Sequence, residues 1–186
     1  TWTKCRLVES QEGNWWAITT NLRVMIEHFA PEYTEELIEK YLCEPTEYHE
    51  KRVTVKFTTG IDITREFNRH RVNSMAESST RYCNYSKDKF GNEITFVFPI
   101  WMDEELLHSY GSYHTVARSN TPESIFIAGL NNAEKDYLSL INMGWKAQEA
   151  RAILPNALKT ELVMTGFESD WKHFFDLRCS TAAHPD

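Results

Sequence analysis

Positive charge and hydroxyl groups gather in the stretch NRHRVNSMAESSTRYCNY, residues 68–85. Between Arg65 and Arg81, four arginines (Arg65, Arg69, Arg71, Arg81) stand against two carboxylates, Glu66 and Glu77, and His70 can add to the excess. Ser74, Ser78, Ser79 and Thr80 supply hydroxyl donors. Guanidinium forks and hydroxyls suit phosphate oxygens, which accept bidentate, charge-assisted hydrogen bonds. The run ESSTRY is short and polar, so its backbone N–H groups could turn towards the same anion. A solvated basic loop fits the same composition, and both readings stay open on composition alone.

Other polar groups fall on helix stripes that should be buried. In SDWKHFFDLR (169–178), Trp171, Phe174, Phe175 and Arg178 recur at i, i+3, i+4 and i+7, which places Arg178 on the aromatic face. In the helix that ends before Pro155, Ala147, Ala150, Arg151 and Leu154 share a face in the same way. Ile63, Glu66, Phe67 and His70 form a third such stripe. A guanidinium keeps its proton in proteins, so a partly buried arginine must meet an anion or carbonyls. A salt bridge, or a side chain reaching out at a helix end, would explain one such arginine. Arg151 and Arg178 taken together with the cluster are explained equally well by one shared anionic ligand.

The elements that must position these groups alternate in type. PEYTEELIEKYL (31–42) reads as an acidic helix with Leu37, Ile38, Tyr41 and Leu42 at helical spacing. RVTVKFTT (52–59) reads as a half-buried strand with Val53, Val55 and Phe57 on one face. Gly60 punctuates it, and Asp62 is expected to cap a helix from Ile63 to about Arg71. A turn at 89–93 leads to a second strand, with Ile94, Phe96 and Phe98 on one face. Helices are expected at 103–117, 132–144 (stopped by Gly144) and 146–154. Residues 159–167 read as a strand, and 169–178 as a helix capped by Ser169 or Asp170. The expected fold is α+β, a mostly antiparallel sheet packed with helices.

Composition bounds the function. The chain has 186 residues, 41% hydrophobic and 25% charged, which suits one soluble catalytic or binding domain with a real core. It opens without Met and its last residues carry no stop signal, so both termini are expected to be truncated. No stretch approaches the roughly 18 apolar residues of a membrane span, and no secretion leader opens the chain. A net charge of −7 argues against general nucleic-acid binding but permits a local basic pocket. Cys5, Cys43, Cys83 and Cys179 are scattered without a CxxC pair, which signals neither zinc nor a disulfide framework and points to reduced thiols in a cytoplasm. The histidines show no HExxH, and no GxGxxG or P-loop is present, so no metal site is expected.

The Arg-His-Arg of residues 69–71, followed after seven residues by Ser79 and then by Arg81 and Tyr82, resembles the signature of the flavin-dependent thymidylate synthases. ARAILP (150–155) looks like the family's Ala-Arg-x-x-Leu-Pro segment, and FFDLR (174–178) like the helix that ends in its catalytic arginine. The likeness covers roughly residues 46–178. It implies a homotetramer with active sites shared between subunits. The reaction it implies is methylation of dUMP to dTMP, with methylenetetrahydrofolate as carbon donor and NADPH as reductant through FAD. It further implies that Thr46, Arg69, His70, Arg71, Glu77 and His173 contact FAD. The dUMP site would comprise Glu66, Arg69, Glu77, Ser78, Ser79, Thr80, Arg81, Arg151 and Arg178. Arg178, the implied catalytic residue, would stabilise the uracil ring as an N3 anion, making C5 nucleophilic without a cysteine at C6; the Pro-Cys-His motif of cysteine-dependent thymidylate synthases is absent.

The chain also departs from that pattern. Glu66 stands where many relatives have Gln, His49-Glu50 reverses an expected Glu-His pair, and Phe167 and His173 occupy positions where the family often has asparagines. These departures motivate an alternative, a nucleotide-binding module of the same fold without turnover. A single-strand nucleic-acid binder using Tyr82 and Tyr85 is a third reading that the net charge disfavours.

Overall fold

The computed structural model describes residues 2–28, 31–102 and 121–185. The helix expected at 103–117 lies outside the described residues. In chain order the elements are β1 (Lys4–Val8), β2 (Trp15–Thr19), α1 (Leu22–His28), α2 (Pro31–Tyr41), β3 (Arg52–Gly60), α3 (Ile61–Phe67) and β4 (Ser74–Glu77). After a 3₁₀ turn at Asp88–Phe90 come α4 (Pro122–Asn142), α5 (Ala147–Ala150) continued by a 3₁₀ turn at Arg151–Ile153, β5 (Lys159–Phe167) and α6 (Glu168–Arg178). Strands β1 and β2 form an antiparallel hairpin with Lys4 opposite Thr19 and Val8 opposite Trp15. The other sheet has the order β3-β5-β4. The α+β class expected from the sequence therefore holds. No helix among the described residues is long and apolar enough to cross a membrane.

The chain forms two compact units. The first comprises residues 1–55, 70–74 and 164–181, and the second 56–69, 75–163 and 182–186. In the first, the hydroxyls of Thr54 and Thr165 lie 2.8 Å apart across β3 and β5. Helix α6 begins at Glu168 with Phe167 at the cap position, where no side chain caps it; Ser169 and Asp170 do not cap it either. Its first amides instead donate to the Lys51 carbonyl (Glu168 N, 3.0 Å) and to Glu50 Oε1 (Ser169 N, 3.0 Å). A carboxylate from a distant loop thus satisfies an end that sequence assigned to a local cap.

Gly166 shows how closely β5 approaches the Arg-His-Arg turn. A Cβ added there would collide with Asn73 Oδ1 and lie 3.5 Å from Trp171 Nε1. Asn73 is buried, donates to Met164 Sδ at 3.6 Å, and its backbone N–H closes a turn on the His70 carbonyl at 3.1 Å. Gly166→Ala is expected to cost about 1–3 kcal/mol through overpacking, read as a lower urea midpoint. An unchanged midpoint would mean that Asn73 steps aside without strain.

In the second unit the core gathers Ile94, Phe96, Leu130, Tyr137, Ala150 and Leu158. Helix α4 starts about ten residues earlier than its periodicity suggested, because Thr121 accepts from Ser124 N at 3.3 Å and Pro122 occupies the first turn. Gly144, at φ 96°, follows its end as expected. The strand expected at 94–98 is reduced to one antiparallel bridge, Phe96 with Leu158, although Ile94 and Phe96 are buried. Pro99 closes that run. Helix α3 begins at Ile61 with Gly60 as its cap, not at Ile63 under Asp62. Its first donors reach the Leu158 carbonyl (Ile61 N, 3.1 Å) and the Asn156 carbonyl (Asp62 N, 3.3 Å). It also stops four residues short of Arg71. The Arg69 amide bonds the Glu66 carbonyl three residues back, which tightens the turn and breaks the α period.

Candidate functional site

The early end of α3 decides where the Arg-His-Arg run goes. Arg69 and Arg71 are exposed, while His70 is only 7% exposed. His70 is therefore buried by the turn, not by the helical stripe assigned to it with Ile63, Glu66 and Phe67. Arg69 belongs to the second unit, and His70 and Arg71 to the first.

In the first unit, α6 buries Trp171 and Phe174 and leaves Phe175 half exposed, at 52%. The inner face therefore reads Trp171, Phe174 and Arg178. The His70 ring lies against Phe174, with centroids 4.8 Å apart, and 6.4 Å from the His173 ring. Arg178 is half-buried and its Nε donates to His70 Nε2 at 3.0 Å. Three residues assigned from sequence, His70, His173 and Arg178, thus share one cluster. Burial first, then the Arg178 and His173 charges, hold the His70 pKa below the ordinary histidine value. A neutral imidazole that accepts at Nε2 carries its proton on Nδ1.

Thr46, also in the first unit, is held within its own loop: its N–H donates to His49 Nδ1 at 3.1 Å, and its hydroxyl lies 2.9 Å from the same nitrogen. The reversed pair has structural work: His49 braces Thr46 and Glu50 caps α6. Phe167, at the position of a common family asparagine, is 2% exposed, with Lys4 and Arg52 at 5.5 and 5.4 Å from its ring centre. That position is apolar and contributes no donor.

In the second unit, the loop at 78–83 meets the turn at 148–151. Arg151 Nη1 donates to Thr80 Oγ1 at 3.2 Å, and Arg81 Nε donates to Gln148 Oε1 at 3.3 Å. Tyr82 N and Cys83 N both donate to the Ser79 carbonyl at 3.1 Å, which curls the loop, while Ser78 N pins its start to the Glu161 carbonyl at 2.9 Å. Arg151 is exposed, contrary to its place on the stripe with Ala147, Ala150 and Leu154. The helix has already tightened to 3₁₀ there, which swings it out. Glu77 accepts from the buried Thr64 hydroxyl at 2.6 Å. Ser78 and Ser79 are exposed, and Glu66 is half-buried.

Among the described residues the ion pairs are Lys4–Asp170, Arg23–Glu27 and Lys56–Glu161. Arg69, Arg71, Arg81 and Arg151 join none of them, so these four guanidiniums are not neutralised by carboxylates there. Gln148 and Thr64 are hydrogen-bond partners of assigned residues that sequence reasoning missed. The signal for Gln148 was its position one turn before Arg151; Thr64 had none, because a threonine inside a short helix is ordinary.

Comparison with known proteins identifies the family and the fold. Residues 10–186 match the model of the family described as thymidylate synthase complementing protein. A flavin-dependent thymidylate synthase of Clostridium tetani is 26% identical over 183 residues, covering 86% of this chain and 66% of that protein. One from Pyrococcus furiosus is 30% identical over 154 residues, 78% of this chain and 56% of that protein. One from Geobacter sulfurreducens is 27% identical over 132 residues, 68% of this chain and 49% of that protein. The chain thus spans about half to two thirds of the length of these relatives. Among solved structures, the flavin-dependent thymidylate synthase of Helicobacter pylori, complexed with FAD and dUMP, superposes with a TM-score of 0.50 at 16% identity. The superposition covers 87% of this chain and 70% of that one, and it shows a shared fold. With a family match running from residue 10 to the last residue, the chain belongs to the thymidylate synthase complementing protein family.

Proposed function

We propose that residues 1–186 form the catalytic domain of a flavin-dependent thymidylate synthase that methylates dUMP to dTMP. The observation that carries this reading is the double contact between the Ser79–Arg81 loop and the turn at 148–151: Arg151 donates to Thr80, Arg81 donates to Gln148, and neither guanidinium is paired with a carboxylate among the described residues. A phosphate is the natural occupant of two uncompensated guanidiniums beside serine and threonine hydroxyls. Ser78, Ser79, Thr80, Arg81 and Arg151 hold the dUMP phosphate and ribose end, with Glu66, Arg69 and Glu77 at its margin. Arg178, in the first unit, is the residue assigned to the pyrimidine ring.

The donor set also fits FAD, an anionic dinucleotide. Arg69 and Arg71 are exposed and unpaired with carboxylates among the described residues, and Thr46, His70, Glu77 and His173 supply further polar atoms. When bound, FAD supplies reducing equivalents drawn from NADPH. The chain's part is to bind and orient: Arg178 stabilises negative charge on the pyrimidine, which raises electron density at C5, and no cysteine is needed at C6. Methylenetetrahydrofolate is the carbon donor, the assembly is a homotetramer with shared sites, and the setting is the cytoplasm.

Protein purified under native conditions is expected to be yellow, and to release the C5 hydrogen of dUMP only when NADPH and methylenetetrahydrofolate are present. Colourless protein that takes up no FAD would count against the reading. Arg81→Ala is expected to weaken dUMP binding about tenfold, as loss of a hydrogen bond to a charged group does. An unaltered Kd in calorimetry would reject the phosphate assignment.

The second reading, a nucleotide-binding module without turnover, is favoured by Phe167, which replaces a polar contact with a buried ring. Tight dUMP binding without dTMP formation would select it.

A further inference from the structure

We infer that His70 is the positioning residue for Arg178: its Nε2 takes the guanidinium Nε–H and so fixes the plane and approach direction of the arginine. This rests on the reading of Arg178 as the arginine that meets the pyrimidine. The contact is 3.0 Å between a half-buried side chain and a ring that is 7% exposed. The ring cannot turn away easily. One face lies against Phe174, with centroids 4.8 Å apart at an interplanar angle of 56°, and the backbone is tied by the Asn73 amide to the His70 carbonyl at 3.1 Å. Asn73 in turn is seated against Gly166, where no side chain fits.

The consequence is chemical. An arginine can meet a planar partner side-on, through Nε and one Nη, or end-on, through both Nη groups. With Nε engaged by the imidazole, the side-on approach is closed. His70 must also hold its proton on Nδ1, because Nε2 is the acceptor. Burial and the neighbouring Arg178 and His173 favour the neutral ring that this needs.

The test uses the full chain and two substitutions. His70→Gln keeps an acceptor near the place of Nε2, and His70→Phe keeps the ring but removes the acceptor. Nitrogen-15 spectra of the wild-type chain should show His70 as the Nδ1–H tautomer. The Arg178 Nε–H should exchange with water about tenfold faster in His70→Phe than in the wild type, and His70→Gln should recover most of that protection. Affinity for dUMP should fall about tenfold in His70→Phe and recover in His70→Gln, as one charge-assisted hydrogen bond allows. An Nε2–H tautomer would overturn the inference. So would His70→Phe with unchanged Arg178 protection. Should His70→Phe fail to fold, the wild-type tautomer decides. Should the wild type not bind dUMP, the proposed function falls, while the tautomer and exchange data still decide the contact.

Discussion

Arg178→Lys is expected to bind dUMP weakly and to lose turnover by roughly 100- to 1,000-fold, the scale seen when a charge-stabilising donor is removed from a catalytic site. The argument is geometric. Lysine keeps the positive charge but has one compact head on a flexible stem. It can reach towards His70 Nε2, where Arg178 Nε now lies 3.0 Å away, or towards the ligand, but it cannot do both as a rigid plane. Charge without a fixed direction still attracts dUMP. It does not hold negative charge at a defined atom of the ring. The measurements are C5-hydrogen release from dUMP with NADPH and methylenetetrahydrofolate, and a calorimetric titration with dUMP. Unchanged turnover removes Arg178 from the chemistry. Equal losses in binding and turnover would make it a binding residue only.

The fold class and the local grouping of side chains were more legible in the sequence than the points where helices start and stop. The family resemblance grouped Thr80, Arg81 and Arg151, and one hydrogen bond joins Arg151 to Thr80. Arg178 on the face of Trp171 and Phe174 followed from a 3.6-residue period that α6 keeps over its whole length. His70 was placed on a helix that ends three residues before it. No residue between Phe67 and Arg71 is a strong stop signal, since the break comes from a turn whose amides find tertiary and local partners. The hairpin β1–β2 was missed for another reason. KCRLV alternates polar and apolar only over Lys4–Leu7 and WWAIT is apolar almost throughout, so the two together carry no clear period-2 signal. Its register depends on cross-strand pairs such as Leu7 with Trp16, which a single strand does not advertise. The start of α4 was legible after all: Thr121, then Pro122, is a cap followed by a first-turn proline. The exposed Arg151 shows the limit of stripe arguments, because a 3₁₀ turn rotates side chains off the α-helical face.

Phe174→Ala is expected to lower stability by about 3–5 kcal/mol, the usual cost of emptying an aromatic site in a core. Phe174 is 3% exposed and packs edge-on against Trp171 and Phe175, with centroids 5.3 and 5.5 Å away. The His70 ring also lies against it. The cavity would therefore open beside the imidazole that holds Arg178, and the loss should appear in function as well as in folding. Phe174→Leu separates the two effects. Leucine restores much of the volume, so stability should recover in large part, but it offers the imidazole no flat face. If ring packing is what keeps His70 in place, Phe174→Leu will fold well and still bind dUMP more weakly than the wild type. If Phe174 only fills space, Phe174→Leu will recover both. A urea midpoint and a dUMP titration on each variant distinguish the outcomes. The half-exposed Phe175 provides the contrast on the same helix, because a 52% exposed ring empties less of the core when it is replaced.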